Sequence, residues 1–582
     1  MDIFSVISLL GGLAMFLYGM HAMSAGLEKL AGGKLQSTLQ RMTSRTVTSL
    51  LFGAGITIAI QSSSALTVML VGLVNSGIME LGQSVGVIMG SNIGTTLTAW
   101  ILSLSGINSD AILLKLLKPE NFAPIAALIG IILMMASKKA RRKDAGGVLV
   151  GFAILMYGMQ LMSSSVSPLA DMPEFAGILT AFNNPILGVI VGAVFTGIIQ
   201  SSAASVGILQ ALSLTGCVTF GMAIPIIMGQ NIGTCVTALL SSIGANRNAK
   251  RVAMIHVLFN TIGTVLCLVL FYGLNAIFQF PFTNAPIGAV EVALCHSVFN
   301  FATTAMLLPF GKQLERLSRL LVPDKAEDKP RVFLDDRLLL SPGLAVHESF
   351  NMAARMAELA RDTVNCALGL MLRYDAKAAD SIGERENELD LYEDRLGTFL
   401  VKVSSSALNE HDSHEVSKLL HNIGDFERIG DHALNIRQSA AEMHNKGIAF
   451  SPEATAEVEL LFTALHEILN LGVDSFVKDD LDAAARVEPL EQVIDVLISQ
   501  IKRRHIDRLQ TGKCTIELGF VLNDLLNNCE RISDHCSNIA VCVTETDRGE
   551  FDTHEYLNAI KTGNDEAFKK AYAEYADKYE LK

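Results

Sequence analysis

Gln61-Ser62-Ser63-Ser64 and Gly90-Ser91-Asn92-Ile93-Gly94-Thr95 are runs of small, mostly polar residues in apolar surroundings. Both return 139 residues later, as Gln200-Ser201-Ser202-Ala203 and Gly229-Gln230-Asn231-Ile232-Gly233-Thr234. The register holds outside the runs: Tyr18-Gly19-Met20 answers to Tyr157-Gly158-Met159, Gly53-Ala54 to Gly192-Ala193, and Thr98 to Thr237. A duplicated apolar unit with polar, glycine-interrupted segments at matching places can form a solute site where its repeats meet in a membrane.

Averages of 50% hydrophobic residues and a net charge of -13 conceal two unlike parts. Residues 1–311 hold 14 Lys/Arg against 9 Asp/Glu, and the remainder 32 against 50, so the front is net +5 and the rest net -18. Apolar stretches near 3–25, 84–104, 122–137, 146–166, 223–243, 252–276 and 287–309 mostly approach the ~20 residues a bilayer core requires, 122–137 being short. The first lacks a basic n-region and a small-residue cleavage site, so it is expected to stay as a membrane helix. Nine scattered cysteines without a Cys-x-x-Cys pair point to packing rather than to disulfides or zinc.

Loop charge predicts orientation. Lys138, Lys139, Arg141, Arg142 and Lys143 form the densest basic loop of the front part, which the positive-inside rule assigns to the cytoplasm. The loop after the first helix carries Lys29, Lys34, Arg41 and Arg45, whereas its repeat equivalent at 167–184 carries no Lys or Arg but has Asp171 and Glu174. Opposite loop charge at equivalent places predicts inverted repeats. Parity then requires 47–77 and 186–216 to enter and return as re-entrant helical hairpins with the Gln-Ser turns at their tips, the N-terminus outside and the acidic C-terminal part cytoplasmic.

A hairpin tip at membrane depth marks a cavity, because non-helical backbone there must be buried in protein or bathed by water. Second arms starting at Ser62–Ser64 and Ser201–Ser202 offer unpaired amides, a partial positive charge and hydroxyls, which suit an oxyanion. Gly90–Thr95 and Gly229–Thr234 are expected to interrupt neighbouring helices in the same way. No Lys or Arg occurs from Thr46 to Leu114 or from Asp144 to Gly244. A multiply charged anion there needs another counter-charge, and sodium fits the oxygen ligands of Gln, Asn, Ser and Thr. The competing reading is that small residues merely let helices pack closely.

Gln61-Ser62-Ser63-Ser64 and Gly90-Ser91-Asn92-Ile93-Gly94-Thr95-Thr96, with their second copies, resemble the sodium/phosphate cotransporter family over roughly residues 1–311. The resemblance implies phosphate between two hairpins, sodium as coupling ion, and ligands drawn from Gln61, Ser62, Ser63, Ser64, Asn92, Thr95, Gln200, Ser201, Ser202, Asn231 and Thr234. Ala203 and Gln230 depart from the family pattern. His256-x-x-Phe259-Asn260 and His296-x-x-Phe299-Asn300 share a further pattern 40 residues apart, for which polar pairing within the packed helices is the favoured reading.

Beyond a connector with Pro323 and Pro330, amphipathic helices are expected from about Asp335. There Glu427-Arg428-Ile429-x-Asp431-His432-x-x-Asn435-Ile436 returns 103 residues on as Glu530-Arg531-Ile532-x-Asp534-His535-x-x-Asn538-Ile539, giving two three-helix units. Each pair, Glu427/Asp431 and Glu530/Asp534, sets two carboxylates on one helix face, which mildly disfavours the helix unless a cation or partner offsets them; a solvated face is the competing reading. The motif resembles PhoU-like domains over about 340–545, which implies a divalent metal as candidate ligand of these four residues and phosphate-signalling proteins or self-association as candidate partners.

The expected fold is all-α: a polytopic membrane domain at 1–311, with repeats at about 5–105 and 146–244 and further helices at 122–137, 252–276 and 287–309. A linker at 312–340, a PhoU-like domain at 341–545 and a helical tail at 546–582 follow. The expected function is sodium-coupled inorganic phosphate transport in the bacterial cytoplasmic membrane. A phosphate-sensing scaffold without flux and a carrier of another oxyanion stand as alternatives. Nucleic acid is not an expected partner, and no P-loop, nucleophile elbow or metal-hydrolase motif points to an enzyme.

Overall fold

The computed structural model describes residues 3–31, 45–104, 119–166, 184–324, 334–406, 408–548 and 566–581. Lys34, Arg41, Asp171, Glu174 and Pro330, and with them part of the loop-charge argument, lie outside the described residues. The described chain is helical apart from an isolated bridge between Thr219 and Pro286, and it divides into two compact units, Met1–Leu344 and Ala345–Lys582.

The first unit contains α1 (Ile3–Ala31), α2 (Thr46–Ile60), α3 (Ser63–Asn75), α4 (Leu81–Ser103), α5 (Pro119–Ala136), α6 (Ala140–Val166) and α7 (Pro185–Ile199). It continues with α8 (Ser202–Ser213), α9 (Phe220–Gly233), α10 (Cys235–Ser241), α11 (Arg247–Phe278), α12 (Ala289–Leu307) and α13 (Gly311–Leu321). Among the described residues of this unit, six helices or helix runs are long and apolar enough to cross a membrane. The apolar residues of this unit's helices are divided between a packed interior, including Phe16, Leu70, Val87 and Ile88, and outward positions such as Ile132, Ile190, Val269 and Val298. An apolar exterior of this kind suits lipid as the solvent.

Equivalent helices α1 and α6 meet through glycines. A Cβ built on Gly19 would lie 2.7 Å from the Gly151 carbonyl oxygen, and one on Gly158 would lie 2.7 Å from that of Gly12. Adding 139 converts Gly12 to Gly151 and Gly19 to Gly158, so the contact maps onto itself. Positions advance along α1 as they retreat along α6, so the two equivalent helices run antiparallel about a pseudo-twofold axis.

α2 ends and α3 begins around two non-helical residues. Gln61 takes a left-handed conformation (φ 58°, ψ 23°), and its amide donates to the Thr57 carbonyl. Gln200 repeats this between α7 and α8 (φ 58°, ψ 22°), donating to Thr196. A left-handed glutamine costs roughly 1–2 kcal/mol, and both copies hold it at the same place.

The glycine-rich runs do not interrupt their helices as expected. α4 is continuous through Gly90–Thr95, and α9 passes into α10 across the single residue Thr234, itself at helical angles (φ -61°, ψ -23°). The glycines serve close packing instead. A Cβ on Gly90 would sit 1.9 Å from the Leu50 carbonyl oxygen of α2, and one on Gly229 would sit 2.1 Å from that of Val189 on α7.

Within the expected connector, α13 packs through Leu314 and Ser318. Buried Arg251 at the start of α11 donates to the Val322 carbonyl at 2.9 Å and pairs with Asp324. Further on, Asp335 accepts from Asn75 at the end of α3, and Arg337 donates to the carbonyls of Ser241 (2.6 Å) and Ile243 (3.1 Å). These residues belong to the first compact unit.

The second unit contains α14 (Pro342–Leu372), which begins at the boundary, α15 (Ala376–Ser404), α16 (Glu410–Lys446), α17 (Pro452–Lys478), α18 (Leu481–Gln510), α19 (Ile516–Arg548) and α20 (Glu566–Lys578). Helix α17 also has the length and composition of a membrane span. Its apolar side chains, among them Leu461, Leu465, Ile468 and Phe476, are instead buried within this helical unit.

Candidate functional site

The αL turn at Gln61 stops α2 and leaves Ser62 in an extended conformation, the geometry of an N-cap. Ser62 Oγ accepts from the Ala65 amide at 3.1 Å, and Ser201 Oγ accepts from the Ala204 amide at 3.2 Å. Each hydroxyl keeps its hydrogen for another acceptor. Ser63 and Ser202 are buried in the first turn of the following helix, and Ser64 is half-buried. Both copies thus present a serine-rich helix start beside an irregular turn, where anions are favoured by the amides and the dipole. Among the described residues no hydrogen bond joins the two turns.

Side-chain partners differ between the copies. Buried Gln61 donates to the Ile58 carbonyl at 2.6 Å and accepts from Thr98 Oγ1 at 2.8 Å, which ties the turn to α4. Gln200 is exposed, and the hydroxyl of Thr237, the counterpart of Thr98, is buried without a partner among the described residues. In the second copy Thr196 bonds Ser205 at 2.8 Å, and Gln230 donates to the Ser205 carbonyl at 3.0 Å. The residue that departs from the family pattern therefore braces α8 from α9.

Asn92 and Thr95 bond back within α4, to the Ile88 carbonyl at 3.2 Å and the Ser91 carbonyl at 2.9 Å. Thr234 does likewise to Asn231 at 2.6 Å. The Asn231 side chain turns outward from its own helix, donating to Asn300 Oδ1 at 2.7 Å. Sequence reasoning placed Thr98 in the repeat without giving it a role. The two copies are bridged by Gln210, unremarked in the sequence, which donates to the carbonyls of Ala99 and Ala289, each at 3.0 Å.

In the second unit, the duplicated motif is partly an inter-helix contact. His432 Nδ1 meets Asn528 Oδ1 at 2.8 Å, and His535 Nδ1 meets Asp425 Oδ1 at 2.8 Å. The offset of 103 converts one pair into the other, so α16 and α19 also meet about a pseudo-twofold axis, with the two imidazole rings 5.6 Å apart. The histidines and their Asn and Asp partners are thereby accounted for as packing.

The carboxylates separate into two environments. Asp431 lies with Glu386 and Asp390 of α15, their ligand atoms all within 4.8 Å of one another. These hard oxygen donors fit a divalent cation. Partial burial, then Asp390 and Asp431, push the Glu386 carboxyl above its ordinary range; burial and then Asp431 do the same to Glu427. Glu530 and Asp534 do not gather in this way: Lys502 is 3.4 Å from Glu530 and Arg531 is 3.4 Å from Asp534. Glu386 and Asp390 were missed in the sequence, although their i, i+4 spacing matches that of Glu427 and Asp431.

A pH prediction follows for the protein without divalent cations. A carboxyl whose folded pKa is raised disfavours the fold once pH climbs above its unfolded value. Asp431→Asn removes a charge facing Glu386 and Glu427, so it should raise the unfolding temperature of the second unit at pH 7. The gain should fade as pH falls toward 4.5, the ordinary glutamate value. Calorimetry across that range checks it, and a lower unfolding temperature at pH 7 would contradict the charge argument.

Comparison with known proteins agrees with this architecture. The profile described as Na+/Pi-cotransporter matches residues 15–164 and again 154–280, and the PhoU domain matches 353–440 and 458–543. The chain is 23% identical over 563 residues to the "Putative inorganic phosphate export protein YjbB" of Salmonella typhimurium, covering 94% of this chain and all of that one. It is 28% identical over 143 residues to the "Phosphate-specific transport system accessory protein PhoU homolog 1" of Thermotoga maritima, covering 25% of this chain and 60% of that one. It is 36% identical over 99 residues to the rat "Sodium-dependent phosphate transport protein 2A", covering 16% of this chain and 15% of that one. Two successive matches to one transport family, followed by two to PhoU, make this chain a member of the Na+/Pi-cotransporter family, a transporter rather than an enzyme, with C-terminal PhoU domains.

Proposed function

We propose that this protein moves inorganic phosphate across the bacterial cytoplasmic membrane by sodium-coupled symport. The observation that carries the reading is the repeated turn. In two copies a left-handed glutamine is followed by a serine that caps the next helix while keeping its hydroxyl hydrogen. Gln61, Ser62, Ser63 and Ser64 together with Gln200, Ser201 and Ser202 would hold phosphate, and Asn92, Thr95, Asn231 and Thr234 would add oxygen ligands for sodium. With no Lys or Arg between Thr46 and Leu114 or between Asp144 and Gly244, the coupling cation would supply the counter-charge.

The re-entrant arrangement is part of this proposal. Arms of 15 and 13 residues in the first copy reach about 22 and 20 Å at ~1.5 Å per residue, short of the ~30 Å hydrocarbon core. The antiparallel meeting of α1 with α6 supports inversion of the repeats. The basic Lys138–Lys143 loop supports a cytoplasmic C-terminal unit, where PhoU domains would regulate flux. The export name of the Salmonella relative supports relief of phosphate excess as a physiological direction.

The test is radiolabelled phosphate flux in proteoliposomes with sodium on either side of the membrane. Flux in both directions that requires sodium is expected, and flux indifferent to sodium would sink the coupling. Phosphate binding without flux would favour the sensing scaffold, and stronger competition by sulfate than by phosphate would change the substrate.

A further inference from the structure

The two copies hold their asparagines differently. Among the described residues, Asn92 Nδ2 bonds only the carbonyl of its own helix, at Ile88. Asn231 Nδ2 is committed to Asn300 Oδ1 on α12 at 2.7 Å, while Asn300 Nδ2 is anchored on the His296 carbonyl at 2.9 Å. His296 Nε2 faces Asn231 Oδ1 at 3.4 Å. Asn231, His296 and Asn300 are at most 3% exposed, so these interactions form without competition from bulk water.

This arrangement constrains the amide. With Nδ2 bound to Asn300, the orientation of the Asn231 amide is set, and its carbonyl oxygen, which has two lone pairs, lies toward His296. His296 approaches one of them at a long distance, acting as donor through Nε2-H, which leaves the other for a cation. A packing role alone has no need of an amide-to-amide bond between helices, because apolar side chains of similar volume fill such space. The related pattern on α11 does not reproduce the contact: Asn260 bonds the His256 carbonyl at 3.0 Å and Cys235 Sγ at 3.5 Å, and neither ring nitrogen of His256 has a partner among the described residues.

We propose that Asn300 and His296 are positioning residues that aim the Asn231 side-chain oxygen at a coupling sodium ion, making the second copy the pre-organised ion site and leaving Asn92 to adapt. The inference rests on the sodium-coupled reading above. It assigns the His-x-x-Phe-Asn segment of α12 a role in ion affinity rather than in phosphate contact.

The measurement is the half-saturating sodium concentration for phosphate flux in proteoliposomes, with half-saturating phosphate measured at saturating sodium. Asn300→Leu and His296→Leu should raise the sodium value about tenfold, the upper end of what one lost neutral hydrogen bond contributes, and leave the phosphate value within about twofold. Asn300→Asp keeps an acceptor for Asn231, and His296→Gln keeps a donor where Nε2 stands, so both should remain within about threefold of wild type for sodium. For variants that reconstitute poorly, the sodium-induced rise in melting temperature of the detergent-purified protein gives the same comparison. An unchanged sodium value in Asn300→Leu would overturn the inference, as would conservative variants that fail as badly as the leucines. Wild-type flux indifferent to sodium would instead overturn the transport reading on which it rests.

Discussion

Replacing Ser62 and Ser201 together by alanine should lower apparent phosphate affinity by at least about a hundredfold. Each hydroxyl oxygen already accepts from the amide three residues ahead, Ala65 or Ala204, so its hydrogen is the group left to donate. Two hydrogen bonds to a charged ligand contribute ~1.5–3 kcal/mol each, and ~1.4 kcal/mol is a factor of ten. Alanine also removes the cap, which costs the following helix about 1 kcal/mol. Stability must therefore be measured beside flux. Threonine keeps both the acceptor and the donor, so a Ser62→Thr, Ser201→Thr protein should regain most of the affinity. Normal phosphate flux in the double alanine protein would remove the two turns from the site.

How much of this was legible in the sequence depended on what each residue has to touch. The duplication was, because a constant offset needs no coordinates, and the Gln-Ser turns followed from it once loop charge and parity were added. The glycine runs were misread. Glycine permits both a broken helix and a close approach, and only the Leu50 and Val189 carbonyls lying against Gly90 and Gly229 decide for the second. The acidic motif showed a shared face for Glu427 and Asp431, yet not that Glu386 and Asp390 complete one cluster while Lys502 and Arg531 offset the other. The pattern shared by His256 and His296 was visible as spacing. That only the segment containing His296 reaches Asn231 depends on which helix packs there.

One construction serves both units. In the first, Gly19 against Gly151 and Gly158 against Gly12 put equivalent helices antiparallel; in the second, His432 with Asn528 and His535 with Asp425 do the same. A self-mapping contact of this type makes each residue act twice, so a sequence duplication can preserve it by retaining one complementary pair. The asymmetries then stand out as additions. Gln230, where the first copy has Ser91, braces α8 from α9 within the second copy, and Asn300 on α12 braces Asn231 from outside it.

Substituting Gly90 or Gly229 should have the largest effect on folding of any single change in the first unit. A Cβ at Gly90 would lie 1.9 Å from the Leu50 carbonyl oxygen and 2.9 Å from the Ala54 nitrogen, backbone atoms that cannot rotate away. Relief requires α2 and α4 to separate along their shared face, where a Cβ on Gly53 would lie 2.2 Å from the Val87 carbonyl oxygen and one on Gly94 2.6 Å from that of Ala54. Overpacking within an adaptable core costs about 1–3 kcal/mol; against fixed backbone the cost should exceed that range, and valine should be worse than alanine. Gly90→Val and Gly229→Val are therefore expected to yield little monodisperse protein in detergent. Gly55, on the same helix α2, has nothing within 4 Å of its would-be Cβ, so Gly55→Ala should match wild type in yield and melting temperature. Even a single methyl at Gly90 should lower the melting temperature by several degrees, since about 1 kcal/mol shifts it by ~2–4 °C in a unit of a few hundred residues. If Gly90→Val folds as well as Gly55→Ala, the close contact of α2 with α4 is wrong, and with it the placement of Gln61 against Thr98 that the same contact fixes.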